Sequence, residues 1–203
     1  MKNRVSGILI LVILLVLTGC SVFKSGVRSE KKELEYNLKL WDSFHMDGIV
    51  EITYQAFSFR KNYAINKDGD KFNLTVFNAG LMGLNPKPLL KVVYEDSLTI
   101  DTSGLAGFSD SIPGNMSIDE LPFDLSISKY LLPMTEEIIL NKKAVIKDLE
   151  FAFNEKMQIS SIGFDEKARL NFEYDLQGLP STIFAVYNGK KLLTLDIDNF
   201  KKQ

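Results

Sequence analysis

"ARLNFEYDLQGLPSTIFAVYNGKKLLTLDIDNF", residues 168–200, decides the fold. Leu170, Phe172, Tyr174 and Leu176 alternate with Arg169, Asn171, Glu173 and Asp175. Neighbouring side chains on a strand point to opposite faces, so this stretch reads as a strand with one apolar and one wet face. Asn188-Gly189 then gives the strongest two-residue hairpin signal, because a type I′ turn needs positive φ at both positions. Phe184 and Val186 lead into that turn, and Leu193, Leu195 and Ile197 lead out of it. Phe184, Val186, Leu193 and Leu195 are expected to face inward with Phe172 and Tyr174.

The same period recurs upstream. "GIVEITYQAF" from Gly48 puts Val50, Ile52, Tyr54 and Ala56 on one side and Glu51, Thr53 and Gln55 on the other. "KFNLTVFN" sets Phe72, Leu74 and Val76 in line, "LLKVVYE" Leu90, Val92 and Tyr94, and "SLTIDT" Leu98 and Ile100. Asp68-Gly69 is a turn signal between two of these runs. The chain therefore predicts about eight or more antiparallel strands. A sheet with one apolar face must cover it, with helices, with a second sheet or by curling on itself. Incomplete covering leaves an apolar cavity.

Two regions break the pattern. "SEKKELEYNLKLWDSF" places Leu34, Leu38 and Trp41 at i, i+4, i+7, one face of a helix that Ser29 is placed to cap. The stretch 103–135 is rich in Gly, Ser and Pro. Ser117 stands three residues before Glu120, a capping-box spacing. One or two short helices carrying Leu121, Leu125, Tyr130 and Leu131 are expected to cross the sheet there. "TEEIILNKKAVIKDLEFAFNEK" fits either strands or a helix with Val145, Leu149 and Phe153 in line.

The N-terminus carries a different message. Lys2 and Arg4 precede an apolar run from Ile8 to Leu17, followed by Leu17-Thr18-Gly19-Cys20. A basic start, a short apolar stretch and small residues at the exit make a secretory signal. The run is much shorter than the roughly 20 residues a membrane-spanning helix needs. Leu-Thr-Gly-Cys resembles the lipobox of bacterial lipoproteins. The resemblance implies cleavage before Cys20 and acylation of its thiol, so that Cys20 inserts in membrane lipid. The competing reading is a free or disulfide-paired thiol, but Cys20 is the single cysteine of 203 residues. The expected organisation is a signal peptide at 1–19, a lipidated tether at 20–29 and one domain at 30–203. Ser21, where an aspartate would signal inner-membrane retention, favours the outer membrane of the cell envelope, facing the periplasm.

Removing 19 residues leaves 184, enough for one domain with a real core. Lys2 and Arg4 leave with the signal, so 22 basic residues face 26 acidic ones, a net charge of −4. Nucleic acid is not an expected partner, since phosphate binding needs a basic face. The single histidine, His45, is expected at the end of the first helix and builds neither a metal cluster nor, without a G-x-S-x-G elbow, a catalytic triad. No phosphate-binding glycine loop occurs. Asn66, Asp68 and Asp70 alternate as at the start of a calcium loop, but the closing glutamate is missing and the context is a turn. No enzyme activity, metal or cofactor is expected.

The order of parts resembles the LolA/LolB superfamily of lipoprotein carriers and acceptors. It is carried by the lipidated cysteine, the Trp-bearing helix, "DGIVEITY", "FNLTVFNAGLMGLNPKPLLKVVYEDSLTI", "LPFDLSISKYLLP" and "GLPSTIFAVYNGKKLLTLDIDNF". The resemblance implies a mainly β fold with an α lid, an incomplete antiparallel β-barrel around an apolar cavity for acyl chains. The expected lining is Val50, Ile52, Tyr54, Leu74, Val76, Val92, Ile100, Phe172, Tyr174, Phe184, Val186, Leu193 and Leu195. It also implies a membrane-facing loop, matched by Leu81, Met82 and Leu84, and partners in the acyl chains of other lipoproteins and a periplasmic carrier. The arginine that helps close the lid in the family has no clear match; Arg60 corresponds by rough position only. A structural lipoprotein with a filled core and a protein partner is the alternative.

Overall fold

The computed structural model describes residues 28–54, 57–78, 86–95, 97–101, 104, 115–116 and 126–203, without the side chains of Tyr54, Phe57, Asn115 and Met116. Cys20 and the signal, the loop residues Leu81, Met82 and Leu84, and the positions Ser117, Glu120, Leu121 and Leu125 lie outside the described residues.

Helix α1 covers 28–39. Its apolar face is the expected one: Leu34 and Leu38 are fully buried, and Trp41 is buried just past the helix. Ser29 lies within the helix. Two polar ties hold α1 down. Asn37 Nδ2 donates to the Lys156 carbonyl at 2.7 Å, and Lys142 Nζ meets Glu30 at 3.1 Å. Among the described residues no helix is long and apolar enough to cross a membrane.

Twelve strands follow: β1 (Ser43–Tyr54), β2 (Phe57–Asp68), β3 (Lys71–Asn78), β4 (Lys87–Tyr94), β5 (Leu98–Asp101), β6 (Asn115–Met116), β7 (Lys143–Ile146), β8 (Leu149–Phe153), β9 (Ile159–Gly163), β10 (Ala168–Tyr174), β11 (Pro180–Tyr187) and β12 (Lys190–Lys202). They form one sheet in the order β6-β5-β4-β3-β2-β1-β12-β11-β10-β9-β8-β7. Every neighbouring pair is antiparallel. Two meanders, β1–β6 and β7–β12, are thus zipped together by the long strands β1 and β12. The end strands β6 and β7 do not pair, so the sheet is an incomplete barrel. The chain crosses between those ends carrying α2 (Ile127–Leu131), a 3-10 turn (Leu132–Met134) and α3 (Thr135–Asn141).

Local chemistry sets the joints. Asn188 and Gly189 have φ of 49° and 74°, the paired positive values of the expected hairpin. Lys142, at φ 54°, ends α3 and returns its N–H to the Ile138 carbonyl at 2.8 Å. This settles the ambiguous segment: a short helix up to Asn141, then a β7–β8 hairpin in which Leu149, Phe151 and Phe153 are buried in alternation. His45 is in β1 and not at a helix end, because the helix stops at residue 39, before the end of the pattern "KLWDSF", and Ser43 already pairs with Asp68. Its Nδ1 is 2.6 Å from Asn66 Oδ1 and its Nε2 is 3.2 Å from Asp47 Oδ2. Asn66 is therefore engaged by His45, and Asp68 accepts from Ser43 Oγ at 2.8 Å. Leu176 continues no strand; it sits fully exposed in the β10–β11 turn, where Asp175 accepts from the Gln177 and Leu179 amides.

A candidate acyl-binding wall

Residues directly opposite in an antiparallel pair share a face. The register therefore traces the inner face, the one that holds the core. From Ile100 it runs through Val92, Leu74 and Ile65 on one line, and from Leu90 through Val76, Tyr63 and Gly48 to Ile197 on another. Val50 and Ile52 stand opposite Leu195 and Leu193, which stand opposite Ile183 and Ala185, and these face Phe172 and Leu170. Of the expected lining, Val50, Ile52, Leu74, Val76, Val92, Ile100, Phe172, Tyr174, Leu193 and Leu195 lie on this one face. Tyr54 closes β1 opposite Phe57.

Phe184 and Val186 are corrections. Phe184 pairs with Asn171 and Thr194, and Val186 with Arg169 and Lys191, all on the outer face. "STIFAVY" is apolar at both parities, and the larger side chains suggested the wrong one. A slip of one residue moves a whole strand's set to the other face, and the inward residues are Ile183 and Ala185. Lys191 Nζ sits 4.3 Å from the centre of the Phe184 ring and shields it from water. Arg60 is the second correction: it stands opposite Glu51 on the outer face.

The inner face is not uniform. At its lower end Trp41 packs edge-on against Phe44, Phe172 and Phe200, at centroid distances of 5.6, 5.3 and 5.9 Å. The Tyr174 hydroxyl donates to the Ile159 carbonyl at 2.7 Å and accepts from the Trp41 side chain. Burial pushes its pKa up, and the Trp41 hydrogen bond opposes that. Phe172 and Tyr174 are thus part of a packed aromatic floor and not of an open lining. Over β7–β9, residues Leu34, Leu38, Leu131, Ile138, Phe151, Met157 and Ile159 close the core completely. Each such side chain contributes about 1.5–3 kcal/mol of burial.

A polar clasp fixes the crossing helix to this floor. Ser128 Oγ donates to Asp42 Oδ2 at 2.7 Å, and buried Lys67 donates to the Asp42 and Gly69 carbonyls at 2.9 and 2.8 Å. Asp42 Oδ1 is buried without a hydrogen-bond partner among the described residues.

Upward, over β1–β5 and β12, the wall changes. Leu74, Leu90, Val92, Ile100, Leu193 and Leu195 are only half-buried, and Ile52 is 36% exposed. Here the sequence missed β2, whose Phe59, Lys61, Tyr63 and Ile65 share the inner face. The period-two signal in "FSFRKNYAIN" is present, but Lys61 interrupts its apolar parity. Tyr63 lies opposite Gly48, at the β1–β12 bulge. A Cβ at Gly48 would collide with the Asp196 carbonyl, so only glycine fits this close approach. The Tyr63 hydroxyl is buried without a hydrogen-bond partner among the described residues. Burial raises its pKa, and the nearby charges of Asp198, Asp47 and Asp196 add to the rise. Among the described residues no group of His, Cys, Asp and Glu is placed to hold a metal ion.

No family model and no curated protein sequence matches this chain. Among solved structures, it is similar to the crystal structure of a LolA superfamily protein from Nitrosomonas europaea, at 10% sequence identity and a TM-score of 0.45. That alignment covers 86% of this chain and 94% of the other.

Proposed function

We propose that the protein is an envelope lipoprotein of the LolA/LolB type that holds an acyl chain against the upper inner wall and passes it on. The observation that carries this is the contrast along one face. The β7–β9 region is closed by fully buried side chains, whereas on the wall of β1–β5 and β12 the buried Val50, Tyr63, Ile65 and Val76 are flanked by Leu74, Leu90, Val92, Ile100, Leu193 and Leu195, which stay half-buried. Apolar surface that a fold sets out in one continuous sheet and does not seal usually contacts something. An acyl chain suits it, because each buried methylene contributes about 0.8 kcal/mol without directional bonding. Exchange needs no covalent step, which agrees with a sequence that offers no nucleophile or metal set.

In this proposal Cys20 anchors the chain in the outer membrane, supported by the Leu17-Thr18-Gly19-Cys20 sequence. The cargo would be the acyl chains of other lipoproteins, received from a periplasmic carrier. Depletion followed by membrane fractionation tests the transfer step. Lipoproteins accumulating in the wrong membrane support it; normal sorting refutes it. One observation favours the alternative of a scaffolding lipoprotein with a protein partner: the Trp41 floor is packed solid. That reading predicts normal sorting and no acyl binding.

A further inference from the structure

The upper end of the inner wall carries charge of one sign. Lys61 faces inward, opposite Val50, and is half-buried. Its Nζ donates to Asn78 Oδ1 at 2.9 Å and lies 5.7 Å from the centre of the Phe59 ring. Lys87 stands directly opposite Asn78 in the β3–β4 pair, on the same face and at the same end. Asn78 therefore sits between two lysines. The paired inner-face positions of β1–β5 and β12 include no carboxylate, while the outer face of the same strands bears Asp47, Glu51, Asp101 and Asp196. The whole chain is net negative, so a cationic rim on an apolar wall goes against its general balance. An ammonium has three N–H donors, and Asn78 takes one from Lys61.

A second observation points the same way. Tyr63 lies two residues further in along β2 from Lys61, on the same face, and its buried hydroxyl has no hydrogen-bond partner among the described residues. Buried polar groups are nearly always satisfied, so an unmatched donor in the same row as the half-buried Leu90 marks a place for a ligand oxygen.

We propose that the ligand of this wall is an acyl chain joined to an anionic headgroup, the headgroup received by Lys61 and Lys87 and the chain running inward over the half-buried Leu90, Val92 and Leu74. Tyr63 then donates to an ester or carboxyl oxygen between the two. The inference rests on the acyl-binding reading above and narrows it. Charge-assisted hydrogen bonds from half-buried Lys61 and exposed Lys87 favour an anionic over a zwitterionic headgroup.

The test uses the full chain in phosphatidylcholine nanodiscs with trace photoreactive lipid. Two probes carry the same diazirine-bearing acyl chain, one on phosphatidylglycerol and one on phosphatidylcholine. The expected result is about tenfold greater capture of the phosphatidylglycerol probe. In Lys61→Met/Lys87→Met that preference should fall to near parity while phosphatidylcholine capture persists. Equal capture by the wild-type protein overturns the headgroup assignment but leaves acyl binding standing. Capture of neither probe overturns both. Protection of the site by inorganic phosphate as effectively as by unlabelled phosphatidylglycerol shows a free-anion site and also overturns the proposal. The wild-type ratio decides the matter even where the double variant does not fold.

Discussion

Trp41 meets Phe172 edge to face, with ring centroids 5.3 Å apart and planes 75° from parallel. The contact joins the turn after the first helix to strand β10. Phe44 and Phe200 complete the cluster, stacked on each other at 5.4 Å. Trp41→Ala is expected to lower the unfolding free energy by about 3–5 kcal/mol, and Trp41→Phe by less. Urea denaturation of the two variants measures the difference.

The Ser128–Asp42 clasp makes a more local prediction. Ser128→Ala leaves both Asp42 carboxylate oxygens without a hydrogen bond from the described residues, in a largely buried setting. The expected cost is about 1–3 kcal/mol. Hydrogen exchange should rise first in the helix Ile127–Leu131, with the amides of β1 and β12 unchanged. Uniform acceleration across the sheet would show that the clasp serves the whole fold.

Sequence and structure agree where one parity was apolar and the other charged. Leu74 and Val76, or Leu193 and Leu195, could be placed on a face from alternation, because Asn73, Thr75, Thr194 and Asp196 lie between or beside them and only Phe77 and Leu192 blur the pattern. Phe184 and Val186 could not: Ile183 and Ala185 compete for the same face, and the bulge between Ala185 and Val186 shifts the register just there. Lys61 and Tyr63 were hidden for the opposite reason, since a lysine on an apolar parity hides the period. The floor was not legible either. That Phe172 and Tyr174 are used in packing depends on Trp41, far away in the chain. Hydrophobic patterning marks what faces inward; it does not tell filled interior from empty.

Tyr63→Phe removes a buried hydroxyl that has no hydrogen-bond partner among the described residues. The ligand-free protein is expected to keep its stability or gain about 1 kcal/mol, because a desolvation cost disappears without losing a bond. Acyl-ligand affinity should fall in the same variant. Thermal unfolding with and without an acyl ligand separates the two effects.

Stability should also decline in alkali. The phenols of Tyr63 and Tyr174 have pKa values raised by burial. Below the unfolded value of about 10, both states are protonated and the contribution is constant. Above it the unfolded chain loses its protons first, so stability falls as pH rises, by about 1.4 kcal/mol per unit for each group. Tyr63→Phe should remove the Tyr63 share of this slope. Unfolding measured from pH 9 to 11 checks it.

Gly48→Ala is expected to be among the most damaging small changes. The added methyl meets the backbone of Asp196 and Asp198, which cannot yield without opening the β1–β12 pair. Loss of soluble folded protein, or of protection in both strands by hydrogen exchange, is the expected readout. Gly69→Ala, with nothing near its added Cβ but a φ of 56°, should cost far less, about 1 kcal/mol.

The central claim is that an acyl chain lies on the inner face of β1–β5 and β12. Val92 and Val186 are both half-buried strand valines, one on that face and one on the other. The most direct measurement is binding of a fluorescent acyl probe by Val92→Asp and Val186→Asp, each first shown to be folded. The account predicts that Val92→Asp loses binding by tenfold or more, on the order of the penalty for meeting a buried charge, while Val186→Asp binds as the wild type does. Equal binding by both variants, or loss confined to Val186→Asp, would contradict it.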